Sequence, residues 1–234
     1  MIWGGNGINT GNYYSVCPAT ITGYSTSTVS IFVIGDSLAH APNPNQSAGY
    51  HWSYVTQGLW GRYPFVMCAV GGEWIEGYLN TNNWNAMLLG MQSCDTVFVQ
   101  LSVNNINNGD TFSSLTNKSS QLILTCQGRG KKVVWASPTP ISSSTDNWAT
   151  EANQTPLFQN VRTNFAAWLD THPYGIGVVH IGQSVESTNK PGVWRVDGTN
   201  STANSGGGGL HPSLYAITNY MGPTLQAAGN QLGL

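Results

Sequence analysis

Apolar residues concentrate in five short runs along the chain, and more polar segments separate them. The runs are rich in β-branched and aromatic residues, which is typical of strands buried on both faces of a sheet. The pattern predicts strands over residues 29–34, 64–70, 95–101, 131–136 and 177–181. The first strand ends abruptly on Gly35, Asp36 and Ser37.

The segments between these runs have the spacing of helices. Helices are predicted over 46–60, part of 78–91, 112–127, 151–170 and 213–228. In the helix over 151–170, five apolar residues are expected to face inward: Leu157, Val161, Phe165, Trp168 and Leu169. Alternating strands and helices imply a parallel sheet with right-handed crossovers. We therefore predict an α/β fold, a three-layer α/β/α sandwich over residues 29–234, preceded by an N-terminal extension over 1–28.

The composition of the chain bears on its partners and on its location. Only 8% of its 234 residues are charged and the net charge is −2, which argues against a nucleic-acid partner. No apolar run approaches the length of a membrane span, and no signal peptide is visible at the N-terminus. Low charge with abundant Gly, Asn, Ser and Thr favours an extracellular or virion-associated protein of the phage-tail kind, with the cytoplasm left open.

The four cysteines, at positions 17, 68, 94 and 126, form no C-x-x-C pair and lack the spacing of metal ligands. Buried thiols are the favoured interpretation, and up to two disulfides stay open. We expect neither a metal site nor a cofactor.

Four chemically useful residues each follow a different predicted strand or the last long loop. Ser37 follows the first strand, Gly72 the second and Asn104 the third, while His211 precedes the closing helix. The carboxyl ends of parallel strands share one edge of a sheet, where such folds place their sites. An ester hydrolase needs a nucleophile, a base and donors for an oxyanion, and this set contains all three.

These residues lie in segments that resemble the conserved blocks of the SGNH (GDSL) hydrolases, a family of esterases and lipases. Gly-Asp-Ser-Leu at 35–38 resembles the first block, and 69–72, 101–105 and 210–213 resemble the second, third and fifth, in the family's order. The resemblance implies a five-stranded, flavodoxin-like parallel sheet and a serine esterase. It implies that Ser37 is the nucleophile and His211 the base, and that the amides of Ser37 and Gly72 with the side chain of Asn104 form the oxyanion hole.

Two positions depart from the family's pattern. Asn105 stands where the third block usually has Asp, a position that is mostly structural. Gly208 stands where the fifth block usually carries the Asp that orients the histidine. A backbone carbonyl of the Gly208 region serves that purpose in one interpretation, as in those family members that work as a Ser-His dyad. In a second interpretation Asp197 orients the histidine, and in a third the protein is impaired or inactive.

The substrate prediction depends on weaker signals. Trp74, Trp148 and Trp194 fall in loops after strands, where their rings stack on sugars or simply pack against the core. With polar loops and low charge, they favour an esterase that removes O-acetyl groups from a polysaccharide, so that an acetylated glycan is the expected partner. The alternatives are a carbohydrate-binding pseudo-esterase and a lipase or thioesterase of the same fold. The oligomeric state stays open.

Overall fold

The computed structural model describes residues 29–40, 53–59, 62–80, 87–88 and 90–232. Its strands are β1 (Ile31–Gly35), β2 (Phe65–Ala69), β3 (Thr96–Gln100), β4 (Lys132–Ala136), β5 (Ser142–Ser144), β6 (Gln154–Pro156), β7 (Gly177–Val179), β8 (Val196–Asp197) and β9 (Asn200–Ser201). Five of them form one sheet in the order β2-β1-β3-β4-β7, and all its neighbouring pairs are parallel. This is the predicted flavodoxin-like order.

Helices lie on both faces of that sheet. They are α1 (Ser37–His40), α2 (Tyr54–Leu59), α3 (Ile75–Leu79), α4 (Val103–Asn107), α5 (Phe112–Gln127), α6 (Gln159–Asp170), α7 (Ile181–Val185), α8 (Leu214–Ala216) and α9 (Gly222–Leu232). A π-helical turn, Ile217–Met221, joins α8 to α9.

The alternation of side chains along β1 divides the core into two layers. Phe32 and Ile34 pack on the face that α5 and α6 cover, and Ile31 and Val33 pack on the face of α2, α7 and α9. All four are fully buried, which explains why the strand reads as a continuous apolar run. The predicted three-layer α/β/α sandwich is thereby confirmed.

The helix predicted over 112–127 is found at those bounds as α5, and the Thr111 hydroxyl accepts a hydrogen bond from the Ser114 amide at its N-terminus (3.2 Å). The helix predicted over 151–170 is wrong in its first half. Pro156 disfavours a helical residue before it, and β6 pairs there with β5 in an antiparallel hairpin. The helix begins at Gln159, after Phe158 at a φ of 52°.

Of the side chains expected to face inward on this helix, Phe165 and Leu169 are buried, and Val161 and Trp168 pack partly buried against the same core. Leu157, which precedes the helix, is 37% exposed and does not face inward.

Other boundaries differ by smaller amounts. The last strand of the sheet stops at Val179, and α7 begins inside the predicted strand and loop. The closing helical segment continues to Leu232. α3 begins before the predicted 78–91 helix and covers its residues 78–79, and residues 87–88 and 90–92 are also helical.

The predicted extension 1–28, which includes Cys17, and residues 46–52 and 60 of the predicted 46–60 helix lie outside the described residues. Among the described cysteines, Cys94 and Cys126 are buried free thiols. In the described part of the chain, no helix is both long and apolar enough to cross a membrane.

Candidate active site

Ser37 sits in a tight junction between β1 and α1. The Asp36 carboxylate accepts a hydrogen bond from the Leu38 amide (2.8 Å), and the Asp36 amide donates to the Gln100 carbonyl (3.1 Å). A Cβ at Gly35 would come within 2.9 Å of that same carbonyl, so the turn requires glycine. The junction presents the Ser37 side chain, half-buried, at the carboxyl edge of the sheet.

Asp36 is buried, and its Oδ2 has no hydrogen-bond partner among the described residues. Burial raises the pKa of this carboxyl to about 7, against the opposing effect of the Leu38 amide. Asp36 therefore fixes the turn through the Leu38 amide at an electrostatic cost at neutral pH.

Tyr78 contacts the same junction through its hydroxyl, and the sequence pattern did not predict this role. Its buried hydroxyl lies 2.7 Å from the Gly35 carbonyl and 2.8 Å from the Cys68 carbonyl, and it accepts from the Gly35 amide at 3.2 Å. A hydroxyl has one hydrogen, so it serves one of these carbonyls at a time. Burial raises the pKa of Tyr78 well above its ordinary value. Nothing in the local pattern of the sequence distinguishes this tyrosine from any other apolar helix position.

Ser37 and His211 are brought together. The Ser37 Oγ lies 2.8 Å from the His211 Nε2, and the His211 Nδ1 lies 3.2 Å from the Gly207 carbonyl oxygen. Because a carbonyl only accepts, Nδ1 carries the hydrogen and Nε2 is left to accept from the serine hydroxyl. This is the tautomer that a general base needs.

In the run of glycines before His211, two positions require glycine, each for a different reason. A Cβ at Gly207 would lie 2.7 Å from the His211 Cβ, so a side chain there would displace the imidazole. Gly209 has a φ of 77°, and a Cβ on it would lie 1.7 Å from the Ser142 carbonyl oxygen. The carbonyl that meets His211 is thus that of Gly207, one residue before the Gly208 expected from the sequence.

Asp197 is not the partner of the His211 Nδ1. Its carboxylate accepts from the Arg195 Nε (2.8 Å) and from the hydroxyls of Tyr220 and Tyr215. The Arg195 guanidinium also lies 4.7 Å from the centre of the Tyr220 ring. These contacts tie the β8–β9 hairpin to the closing helices, which explains why the carboxylate is engaged away from the imidazole.

Of the two other predicted oxyanion residues, Gly72 lies in the loop after β2 and Asn104 lies in α4, which follows β3. Gly72 is exposed at a φ of 77°, with nothing within 4 Å of the position a Cβ would take. The Asn104 Nδ2 donates to the Glu73 carbonyl (2.9 Å), which links α4 to the loop after β2. A side-chain amide has two hydrogens, so Asn104 keeps a second donor for a substrate.

Asn105 explains one of the departures noted in the sequence. Its Oδ1 accepts from the Ile75 amide at the start of α3 (3.1 Å), and its Nδ2 lies 2.8 Å from both the Glu76 and the Asp110 carboxylates. Lys118 pairs with those same two carboxylates. An aspartate here would have no hydrogen to donate and would add a third negative charge, so the amide fits the site better.

The three predicted substrate-binding tryptophans have different surroundings. Trp148 is 8% exposed and Trp194 is 0% exposed, and their indole hydrogens bind the Ser142 hydroxyl (3.0 Å) and the Gly209 carbonyl (2.9 Å). The prediction that these two stack on a substrate is wrong, because the loop packs both rings into the protein. Trp74 is 40% exposed, two residues after Gly72.

Among the residues the structure describes, no group of three or more His, Cys, Asp or Glu side chains is arranged to hold a metal ion. The described residues place a serine hydroxyl, an imidazole, a backbone carbonyl and amide donors at this edge of the sheet.

Comparison with solved structures identifies the class of fold. The chain has the fold of the G-D-S-L (SGNH) hydrolases. A member of the lipolytic protein G-D-S-L family from Veillonella parvula matches with 13% identity and a TM-score of 0.53, over 87% of this chain and 97% of that one. A GDSL-like lipase from Bacteroides thetaiotaomicron matches with 12% identity and a TM-score of 0.56, over 87% and 86% of the two chains.

An acetylxylan esterase from Geobacillus stearothermophilus matches with 13% identity and a TM-score of 0.56, over 89% of this chain and 95% of that one. No protein-family model and no curated protein matches the sequence. The fold of the predicted family is thus confirmed by structure, at an identity where sequence comparison alone finds nothing.

Proposed function

We propose that the chain is an ester hydrolase in which Ser37 is the nucleophile and His211 the general base. The observation that carries the proposal is the line of contacts from the Ser37 Oγ through the imidazole to the Gly207 carbonyl, at 2.8 Å and 3.2 Å. Both distances are within hydrogen-bond reach, as a nucleophile, a base and a group that orients the base require.

The reaction follows from that geometry. The Ser37 Oγ attacks the ester carbonyl carbon while its proton passes to the His211 Nε2. As the tetrahedral intermediate collapses, the same nitrogen gives the proton to the leaving alcohol, and the acyl group remains on Ser37. His211 then takes a proton from water, whose oxygen attacks the acyl carbon, and collapse of the second intermediate returns the proton to the Ser37 oxygen and releases the acid.

The oxyanion of both intermediates needs donors that are already in place. Ser37 is the first residue of α1, where backbone amides have no partner within the helix. The Gly72 amide and the second hydrogen of the Asn104 amide complete the proposed set. One such donor is worth about 3–4 kcal/mol in the transition state.

We propose O-acetyl groups on a polysaccharide as the substrate. The fold is shared with an acetylxylan esterase, and Trp74, two residues after the proposed oxyanion donor Gly72, is 40% exposed, so that its ring is available to stack on a sugar. An extracellular or virion-associated location would suit such a substrate and stays a prediction from composition.

An ester of a longer acyl chain is the second candidate. Leu214 is 49% exposed only three residues after His211, and two of the structures with this fold are lipolytic proteins. A carbohydrate-binding pseudo-esterase is the third candidate, since no carboxylate meets the imidazole in the described structure.

The test is hydrolysis of p-nitrophenyl acetate, butyrate and octanoate and of acetylated xylan by the purified protein. Ser37→Ala should abolish every activity present in the wild type, whereas the exposed Ser113→Ala should retain it. Preference for acetate and release of acetate from xylan support the acetylesterase, and preference for octanoate supports the second candidate. Binding of acetylated xylan by a wild type that turns over no ester would replace the proposal with the binding module.

A further inference from the structure

We propose that Trp194 is a positioning residue for catalysis, because it holds the glycine turn whose carbonyl orients His211. This inference rests on the proposed function. In the described part of the chain, Trp194 makes no hydrogen bond to Ser37 or to the imidazole, so its effect passes through the turn.

The turn consists of residues 207–210. The Leu210 amide donates to the Gly207 carbonyl (3.1 Å), and this same oxygen lies 3.2 Å from the His211 Nδ1. The two central residues, Gly208 and Gly209, have φ values of 60° and 77°. Glycine adopts these φ values readily, but it also loses more conformational entropy on folding than other residues. Contacts from outside the turn are therefore needed to fix its conformation.

Trp194 supplies that restraint at Gly209. Its indole Nε1 donates to the Gly209 carbonyl at 2.9 Å, and the Ser142 amide donates to the same oxygen at the longer distance of 3.3 Å. Trp194 is fully buried and Gly209 is buried, so water does not replace a lost bond readily.

A small buried network holds Trp194 itself. The Gln154 side chain accepts from the Trp194 amide (2.9 Å) and donates to the Trp194 carbonyl (2.9 Å). The Ser142 hydroxyl donates to the same Gln154 oxygen (3.2 Å) and accepts from the Trp148 indole (3.0 Å). We call Ser142, Trp148, Gln154 and Trp194 the turn clamp. The clamp connects the β5–β6 hairpin to the loop that carries His211.

This arrangement makes the clamp more important here than in a triad with a carboxylate. A backbone carbonyl moves only with its turn, and a displacement of about 1 Å within a catalytic constellation can cost up to a hundredfold in rate. Loss of the indole donor leaves Gly209 with the 3.3 Å contact alone. The Gly207 carbonyl is then less closely held against Nδ1.

The test compares Trp194→Phe with Trp135→Phe. Both tryptophans are fully buried, but the Trp135 indole nitrogen has no hydrogen-bond partner among the described residues and lies in β4, so that variant controls for lost packing. Trp194→Phe should lower kcat on p-nitrophenyl acetate roughly ten- to a hundredfold with KM within about twofold. Trp135→Phe should keep kcat within about twofold.

Two readouts separate positioning from a loss of folded protein. Nitrogen-15 NMR of the imidazole should show His211 shifting from the Nδ1–H tautomer toward a mixture in Trp194→Phe, and the acid limb of the pH–rate profile should move to lower pH. In a partly unfolded sample kcat falls, whereas the folded molecules keep the wild-type tautomer and pH profile and the unfolded ones give separate imidazole signals. If Trp194→Phe does not fold, Trp148→Phe, one bond further away, should show the same changes at about threefold in kcat.

A wild-type tautomer, pH profile and kcat in Trp194→Phe, or in Trp148→Phe when only that variant folds, would overturn the inference while leaving the proposed function standing. If the wild type hydrolyses no ester, the proposed function fails, and the NMR comparison still decides whether the clamp orients His211.

Discussion

The buried carboxyl beside Ser37, the proposed nucleophile, offers a test of the site that does not depend on any substrate. Asp36 lies next to Ser37, with one oxygen bound to the Leu38 amide and the other without a partner among the described residues. Asp36→Asn keeps the acceptor for Leu38, has almost the same shape and cannot ionise. The variant therefore isolates the effect of the charge.

The pKa of Asp36 sets the magnitude and the sign. Burial raises it from 3.8 to about 7, so between these pH values the folded state binds a proton that the unfolded state has released. The free energy of unfolding of the wild type must then fall as pH rises through this window. At about 1.4 kcal/mol for each tenfold change in proton affinity, the full effect is about 4 kcal/mol, nearly all of it expressed by pH 8.

The assay is urea unfolding followed by tryptophan fluorescence at a series of pH values from 4 to 8. The free energy of unfolding of Asp36→Asn minus that of the wild type should rise by about 4 kcal/mol across the series. Taking this difference cancels the titration of all the other groups.

Asp95→Asn is the matched control. The Ser30 hydroxyl and, to a smaller extent, the Ser30 amide donate hydrogen bonds to the Asp95 carboxylate and lower its pKa. Asp95 lies at the opposite edge of the sheet. Its ionised form stabilises the fold above the unfolded pKa, so Asp95→Asn should be most destabilising at neutral pH and less so as pH falls. If the free energies of unfolding of Asp36→Asn and the wild type changed in parallel with pH, the inference that burial destabilises the ionised form of Asp36 would be refuted.

Three further predictions test other parts of the site. Asn104→Ala should lower kcat by about two to three decades with a smaller change in KM, and a pure KM effect would instead indicate a ground-state role. Asp197→Asn should change kcat/KM less than about tenfold, because a carbonyl and not this carboxylate meets His211; a loss of several decades would restore Asp197 as the third member. Asn105→Asp should cost about 2–4 kcal/mol of unfolding free energy at pH 7, since a third carboxylate replaces the donor to Glu76, and an unchanged urea midpoint would contradict this.

The sequence was sufficient to predict the sheet and the placement of Ser37 and His211. Strands buried on both faces leave an unmistakable apolar signal, and a parallel sheet then places the residues after its strands at one edge. The pattern was insufficient where a short hairpin competes with a helix. The apolar spacing around Leu157 suits a helix, but Pro156 and the pairing of β6 with β5 decide the local structure.

The surroundings of the tryptophans and of His211 were not predictable for a different reason. Whether a loop tryptophan faces solvent or the core depends on contacts between segments distant in sequence, such as that of Trp194 with Gly209. The orienting carbonyl depends on how a four-glycine run turns, and glycine has little conformational preference of its own. Local patterns carry no information about either.

The replacement of a carboxylate by a carbonyl changes where the precision of this site comes from. A carboxylate side chain orients the imidazole and also stabilises the imidazolium by its charge, whereas the Gly207 carbonyl supplies orientation and only a dipole. In the proposed ester hydrolase, catalysis must therefore depend more on geometry and on the proposed oxyanion donors. That geometry depends on the glycine turn at 207–210, whose conformation is fixed by contacts from outside it, in particular by the hydrogen bond from the buried Trp194. A site of this kind should be more sensitive to substitutions in its supporting loops than one in which a charged side chain orients the base directly.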